Sequence, residues 1–411
     1  MAGGVSLGRD FGWLWAAYAA GTLGTWVAFN AFPLLAITVL HKGSAEVAAL
    51  AAVGAAVGAA VALPLGPWVE FRRKRPVMIA MDLVRCAAVL SVAVAYALDR
   101  LGFAQLLVVS VVVAAADITF GAASGACLKA LVPAEGRLVA QARLESTTWT
   151  ATVLGPPLGG ALVALLGPVA TVLVDALSYL LSATGIRAIK GREPRPVRKE
   201  GPGMRAGELL EGWRHILAQP VLRPLFLNAV LVNGLIMATA PLLAVLMLGP
   251  LGFAPWQYGL AFAVPCLGGL VGSRLSRPLV ARYGRQRVLW TSGVLRACWP
   301  VGLAFVHPGV TGLALVMAVE LALITCAAVF TPVLATHRLD LTPNDRIART
   351  LTAWSVTAKA SVAGLTALWG LLAAVLGPRE AIGLAGVLLL ATPLLLPREK
   401  VRATASVDTC K

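Results

Sequence analysis

Apolar residues in this 411-residue chain run in long blocks rather than in alternating or one-face stripes. A block of about 20 apolar residues crosses roughly 30 Å of hydrocarbon as a helix. Backbone polar groups in lipid must bond within their own segment, so these blocks are helices rather than open strands. They predict spans near 11–40, 45–68, 77–98, 101–127, 141–166 and 169–188, then near 222–248, 256–280, 288–306, 309–335, 350–376 and 381–397. The expected fold is an all-α integral membrane protein of about twelve transmembrane helices. The first block, Phe11 to Leu40, is too long for a signal-peptide core and is expected to stay as the first span.

Slid along itself by about 210 residues, the chain matches at three places. PVMIAMDLVRCA at Pro76–Ala87 faces RVLWTSGVLRAC at Arg287–Cys298, which sets Arg85 opposite Arg296. LVPAEGR at Leu131 faces LTPNDRI at Leu341, and LLGP at Leu165–Pro168 faces VLGP at Val375–Pro378. Each match falls at an equivalent place in the order of spans, as duplication of a six-helix unit requires. The predicted organisation is a six-helix bundle over 1–188, a linker over 189–221, a second bundle over 222–398 and a tail over 399–411. Six helices per unit leave both bundles the same way up, related by a pseudo-two-fold axis along the membrane normal. Binding between two such halves near the midplane favours transport over a receptor or a membrane enzyme.

Composition agrees with this frame: 58% of residues are hydrophobic, 13% are charged and the mean hydropathy is +0.82. A soluble domain has about 25% charged residues, because its surface must be solvated. The net charge of +16 would suit a nucleic-acid partner, but the charges lie in short clusters between apolar blocks. With the N-terminus inside, the outer loops hold only Lys42, Arg100 and Arg379, and Arg85, Arg296 and Lys359 lie within spans. Every other Lys and Arg falls in the inner loops, helix ends and tails, so both termini are expected in the cytoplasm. In the linker, KGREPRPVRKEGPG from Lys190 reads as a solvated tether. GELLEGWRHIL could form a surface helix with Leu209, Leu210, Trp213 and Ile216 inward. The cysteines show no metal-ligand or disulfide spacing. No Walker loop or nucleophile elbow is present, so neither ATP-driven transport nor catalysis is suggested, and no cofactor or metal is expected.

The loop after the second span reads GPWVEFRRKRPV from Gly66. It resembles the signature loop of the major facilitator superfamily, a glycine followed by an acidic residue and a basic cluster. Gly66, Glu70, Lys74 and Arg75 fit that pattern, whereas Phe71 and Arg73 depart from it. The equivalent loop, RPLVARYGRQRVL, keeps Arg282, Gly284 and Arg285 but has Ala281 at the acidic place. In the family this loop latches the two halves in the outward-open state, which implies that role for Glu70 and its basic neighbours, Arg72 included. GPPLGG in the fifth span (Gly155, Pro156, Gly159, Gly160) resembles the motif of family members that export by antiport. In itself it offers a flat glycine face and a proline bend. LVDALSYLLSA in the sixth span, with Asp175, adds a resemblance to the macrolide and enterobactin exporter branch.

Ionisable side chains inside a span cost about 2.5–3.5 kcal/mol on insertion scales, so each is a functional suspect. Asp82 and Arg85 lie three apart on one face of the third span and are assigned to the gating network or to a structural ion pair. Glu320 and Lys359 are deep, about 15 Å from the starts of their spans. Lys359 joins a polar stripe with Thr352, Ser355 and Thr366. Glu320 is expected to carry the proton, with Lys359 as its partner or as a substrate contact. A static buried pair is the alternative. Asp117 is a second candidate proton carrier, or a member of the latch through Arg72 or Lys74. Asp175 is expected to be structural. Thr22, Trp26 and Asn30, with Asn228 and Asn233 in the second half, are expected to line the substrate cavity.

The resulting expectation is a monomeric proton-coupled exporter of a small amphipathic molecule in a bacterial inner membrane. It would partner with substrate, protons and lipid, and with no nucleic acid. An importer or uniporter on the same fold, and a non-transporting receptor or scaffold, stay open as alternatives.

Overall fold

The computed structural model describes residues 7–29, 31–42, 44–191, 193 and 210–397, and every regular element among them is helical. In the first half these are α1 (Gly8–Val27), α2 (Ala31–Thr38), α3 (Ser44–Glu70), α4 (Lys74–Ala97), α5 (Phe103–Leu131), α6 (Arg137–Leu166) and α7 (Pro168–Arg187). A short helix α8 (Glu211–Ala218) follows. The second half comprises α9 (Leu222–Leu248), α10 (Pro255–Ala263), α11 (Cys266–Tyr283), α12 (Arg285–Cys298), α13 (Val310–Leu341), α14 (Ile347–Leu376) and α15 (Pro378–Ala391). Eleven helical segments among the described residues are long and apolar enough to cross a membrane, and α3 stands where the remaining predicted span was expected.

Two predicted spans are each built from two α-helices, and proline accounts for both breaks. Pro33 sits in the first turn of α2, and Pro265 precedes α11. A proline ring removes one amide donor and crowds the carbonyl four residues back, which here belongs to Phe29 or Ala261. Helices also run past the apolar blocks at their basic ends: α13 continues to Leu341 and α14 begins at Ile347. Those extra turns carry charged residues with partners, as described below.

The chain divides into two compact units, residues 1–216 with 335–364, and residues 217–334 with 365–411. The first unit therefore includes the end of α13 and the first half of α14. Its core is apolar, with Phe11, Leu14, Met78, Leu128 and Ile186 in one cluster and Leu35, Val89, Leu106 and Tyr179 in another. The core of the second unit gathers Leu235, Leu243, Leu246, Trp369 and Ile382.

Helix α8 departs from the expected surface helix. Leu210 is exposed rather than inward, and Leu209 lies outside the described residues. Ile216 is fully buried, and the half-buried Trp213 donates its indole N–H to the Thr357 hydroxyl at 2.8 Å. Gly212 packs on the Arg349 carbonyl, so this helix covers the start of α14.

Candidate functional site

Glu70 ends α3, and its carboxylate is buried. Arg349, in the first turn of α14, answers it with an Nε–Oε2 distance of 2.7 Å. The same guanidinium also holds Glu211 of α8, and it lies 5.2 Å over the Phe71 ring. Arg346 supports Glu211 at 3.4 Å. A second tie joins Arg137 of α6 to Asp340 of α13 at 2.6 Å, and Lys129 reaches the Thr342 carbonyl. Of the loop residues assigned to gating, Lys74 caps α3 by donating to the carbonyls of Val69, Glu70 and Arg72. Arg75 donates to the Ile189 carbonyl at 3.1 Å, and Arg72 lies over the Trp68 ring. Gly66 meets Thr352 closely, since a Cβ there would stand 3.0 Å from its hydroxyl. In the second unit Arg282 lies over Tyr283, and Arg285 opens α12. Gly284 joins α11 to α12 at φ +82, a backbone conformation that favours glycine.

Asp82 and Arg85 are placed away from that loop. Arg85 is buried between the rings of Phe120 and Tyr179, 4.6 and 4.5 Å from their centroids, and pairs with Asp82. Its other nitrogen lies 3.4 Å from Asp117 Oδ1, while Asp117 Oδ2 lies 3.4 Å from Lys359 Nζ. A chain of four alternating charges thus runs from α4 through α5 to α14. Lys359 finds a carboxylate on α5, a partner other than Glu320. Asp117 turns to Arg85 and Lys359 rather than to Arg72 or Lys74. Asp175 is buried and accepts a hydrogen bond from Thr25 at 3.4 Å.

The exposed end of this charge chain opens into a cavity of about 490 Å³ within the first unit. That volume falls in the usual range for small-molecule sites, roughly 300–1,000 Å³. Thr22 and Trp26 line it, while Asn30 lies outside the described residues. The sequence reading missed Tyr18, Gln141, Glu145 and Arg338 on the same wall. Glu145 accepts a hydrogen bond from Trp149 at 3.0 Å, and Tyr18 shares one with Thr148 at 2.8 Å. Arg338 stacks on Trp354 at 4.7 Å. The missed signal was a polar stripe on α6, with Gln141, Glu145, Thr148 and Thr152 at helical spacing.

In the second unit, Glu320 is buried in α13, where Val316 and Val319 belong to the apolar core. Among the described residues it forms no hydrogen bond or ion pair. Asn228 was expected on a cavity wall and is instead completely buried. Its amide donates to the Thr392 carbonyl at 2.8 Å and accepts from Arg296 at 2.5 Å. Asn233 is exposed. Arg296, the counterpart of Arg85, lies 3.6 Å over the Phe330 ring.

In the GPPLGG segment, Gly155 and Gly159 face the backbone of α1. A Cβ on Gly155 would stand 2.7 Å from the Trp26 carbonyl carbon, and one on Gly159 would run into the Val27 carbonyl. Gly160 faces open space, and Pro156 lies inside the helix.

The sequence profile of the Major Facilitator Superfamily matches residues 14–335. The multidrug efflux pump Tap of Mycolicibacterium fortuitum is 28% identical over 334 residues, which cover 77% of this chain and 76% of that protein. The MFS-type transporter YvqJ of Bacillus subtilis is 27% identical over 311 residues, 73% and 71% of the two chains. Among solved structures, a bacterial homologue of the iron transporter ferroportin in an outward-facing state superposes with a TM-score of 0.78 at 17% identity, covering 93% of this chain and 98% of that one. The E. coli fucose:proton symporter FucP superposes at 0.73 with 11% identity, covering 96% and 100%. At those identities the structures speak for the fold alone.

Proposed function

The chain belongs to the Major Facilitator Superfamily of membrane transporters, and we propose that it exports a small amphipathic molecule in exchange for protons. A member of this family is embedded in the bilayer, carries a small-molecule substrate and is not an enzyme. Export is supported by the similarity to a multidrug efflux pump and by the GPPLGG segment. We place the protein as a monomer in a bacterial inner membrane with both termini cytoplasmic, following the basic loops.

The observation that carries the coupling is Glu320, a buried acid without a polar partner among the described residues. Isolated charge in an apolar setting is costly, so such a group gives up its charge by taking a proton. Its protonation would then track the proton gradient, and the neutral and charged forms would favour different packings of α13. Glu320→Gln mimics the protonated form permanently. In proteoliposomes loaded with ethidium as the test amphipath, transport driven by an imposed pH gradient is expected to vanish. Energy-independent exchange of ethidium is expected to persist. Gradient-driven transport at the wild-type rate would sink this role.

The charge chain supports a second role, in which Asp117 and Lys359 present paired charges to the substrate cavity. The Asp117 side chain is 56% exposed, so its pairing adds little to stability. Asp117→Asn is therefore expected to leave the melting temperature near wild type. Ethidium efflux should fall at least about tenfold, the effect of losing one interaction of about 1.4 kcal/mol. Unchanged efflux would remove Asp117 from the transport path.

A further inference from the structure

A second cavity, about 730 Å³ in volume, lies entirely within the second unit between α11, α12 and α13. Its two side walls are ladders at four-residue spacing. Tyr283, Leu279 and Leu275 descend α11, and Arg287, Thr291 and Leu295 descend α12. The two helices run in opposite directions from Gly284, so Tyr283 stands level with Arg287, and Leu275 with Leu295. Each ladder covers about 12 Å at 1.5 Å per residue. The floor is formed by α13, where Val329 and Cys326 lie. Leu275, Trp290 and Leu295 are each more than two-fifths exposed.

The polarity along this groove is graded. Away from the mouth the lining is mostly apolar, with Thr291, Ser292 and Thr325 as small polar residues, whereas the mouth holds Arg287, Gln286 and the aromatic Tyr283, with Arg282 at the end of α11 and Arg285 at the start of α12. Among the described residues no acidic side chain lines it. Arg287 is exposed and makes no ion pair among the described residues. Gln286 already donates to the Pro397 carbonyl at 2.9 Å, whereas the Arg287 side chain forms no hydrogen bond among the described residues. The internal repeat sharpens the point, because the residue facing Arg287 in the first half is Pro76. The cation belongs to the second half alone.

An apolar trough of this length with a basic, aromatic mouth at the end of a span has the chemistry of a lipid seat. The acyl chain fits the trough, tyrosine and tryptophan sit at headgroup level, and a guanidinium matches a phosphate. We infer that this groove binds an anionic phospholipid of the bilayer, with its headgroup on Arg287 and one acyl chain along Leu279 and Leu295. The site is separate from the substrate cavity and from Glu320.

The test uses the full-length purified protein in nanodiscs doped with phosphatidylglycerol or phosphatidylcholine brominated on the acyl chain. Bromine quenches nearby tryptophan, and the difference between wild type and Trp290→Phe isolates the Trp290 signal. Quenching of Trp290 is expected at about fivefold lower mole fraction of phosphatidylglycerol than of phosphatidylcholine, the factor that one basic residue at a surface confers. Arg287→Gln should erase that preference, and Arg287→Lys should restore most of it. Equal quenching by the two lipids in wild type would overturn the proposal, and so would a preference that survives Arg287→Gln. An absence of Trp290 quenching by either lipid would mean that another occupant covers the groove. The wild-type comparison decides the matter even if the glutamine variant does not fold.

Discussion

Arg349→Ala is expected to cost about 3–5 kcal/mol of stability, the range for removing one partner of a buried ion pair. The guanidinium is enclosed, and so is the Glu70 carboxylate it meets. Its removal strands that buried carboxylate and leaves Glu211 with the longer contact to Arg346 at 3.4 Å. The melting midpoint in detergent should fall by several degrees, and ethidium efflux should fall with it, because α14 loses its tie to α3. Arg349→Lys should recover only part of the loss, since one ammonium cannot serve two carboxylates with the fork of a guanidinium. Pairing Arg349→Met with Glu70→Gln removes both charges and should be milder than the single alanine change. A melting midpoint within a degree of wild type for Arg349→Ala would show that the tie carries no stability.

Gly159→Ala should reduce the yield of folded protein more than any other single methyl addition in the GPPLGG segment. The added carbon meets the Val27 carbonyl, a backbone atom that cannot rotate away. Relief requires α1 and α6 to separate, which also loosens the neighbouring contact between Gly155 and Trp26. Overpacking usually costs about 1–3 kcal/mol, and a clash with backbone belongs at the upper end. Gly160→Ala is the matched control, because nothing lies within 4 Å of its added carbon. Fluorescence-detection size-exclusion profiles of the two variants should separate clearly. Similar monodisperse peaks would show that α1 accommodates the methyl group.

The spans were legible because length and hydropathy fix a membrane helix almost without reference to its neighbours. The block at 222–248 coincides with α9, and most other ends moved by only a few residues. The larger extensions occur at the basic ends, as with α13 running on to Leu341, where charged residues continue a helix because partners on other helices satisfy them. Glu70 could be singled out from its loop, but Arg349 could not be named as its partner. That pairing depends on which face of α14 turns toward α3, and periodicity alone leaves the face open. Glu145 escaped notice for a related reason. It lies near the polar start of α6, where a carboxylate reads as an ordinary helix end until the cavity beside it is visible.

The stacked arginines also bear on ancestry. Arg85 on Phe120 and Arg296 on Phe330 recur in both halves at nearly the same spacing, whereas Asp82 and Asp117 face Gly293 and Ala327. The guanidinium–ring stack is therefore common to the two copies, whereas the carboxylates differ between them. One arginine is paired with acids, and the other, among the described residues, rests on an amide and a ring. Relatives that share the duplication should then be found more reliably by the paired arginine and phenylalanine than by any acidic residue.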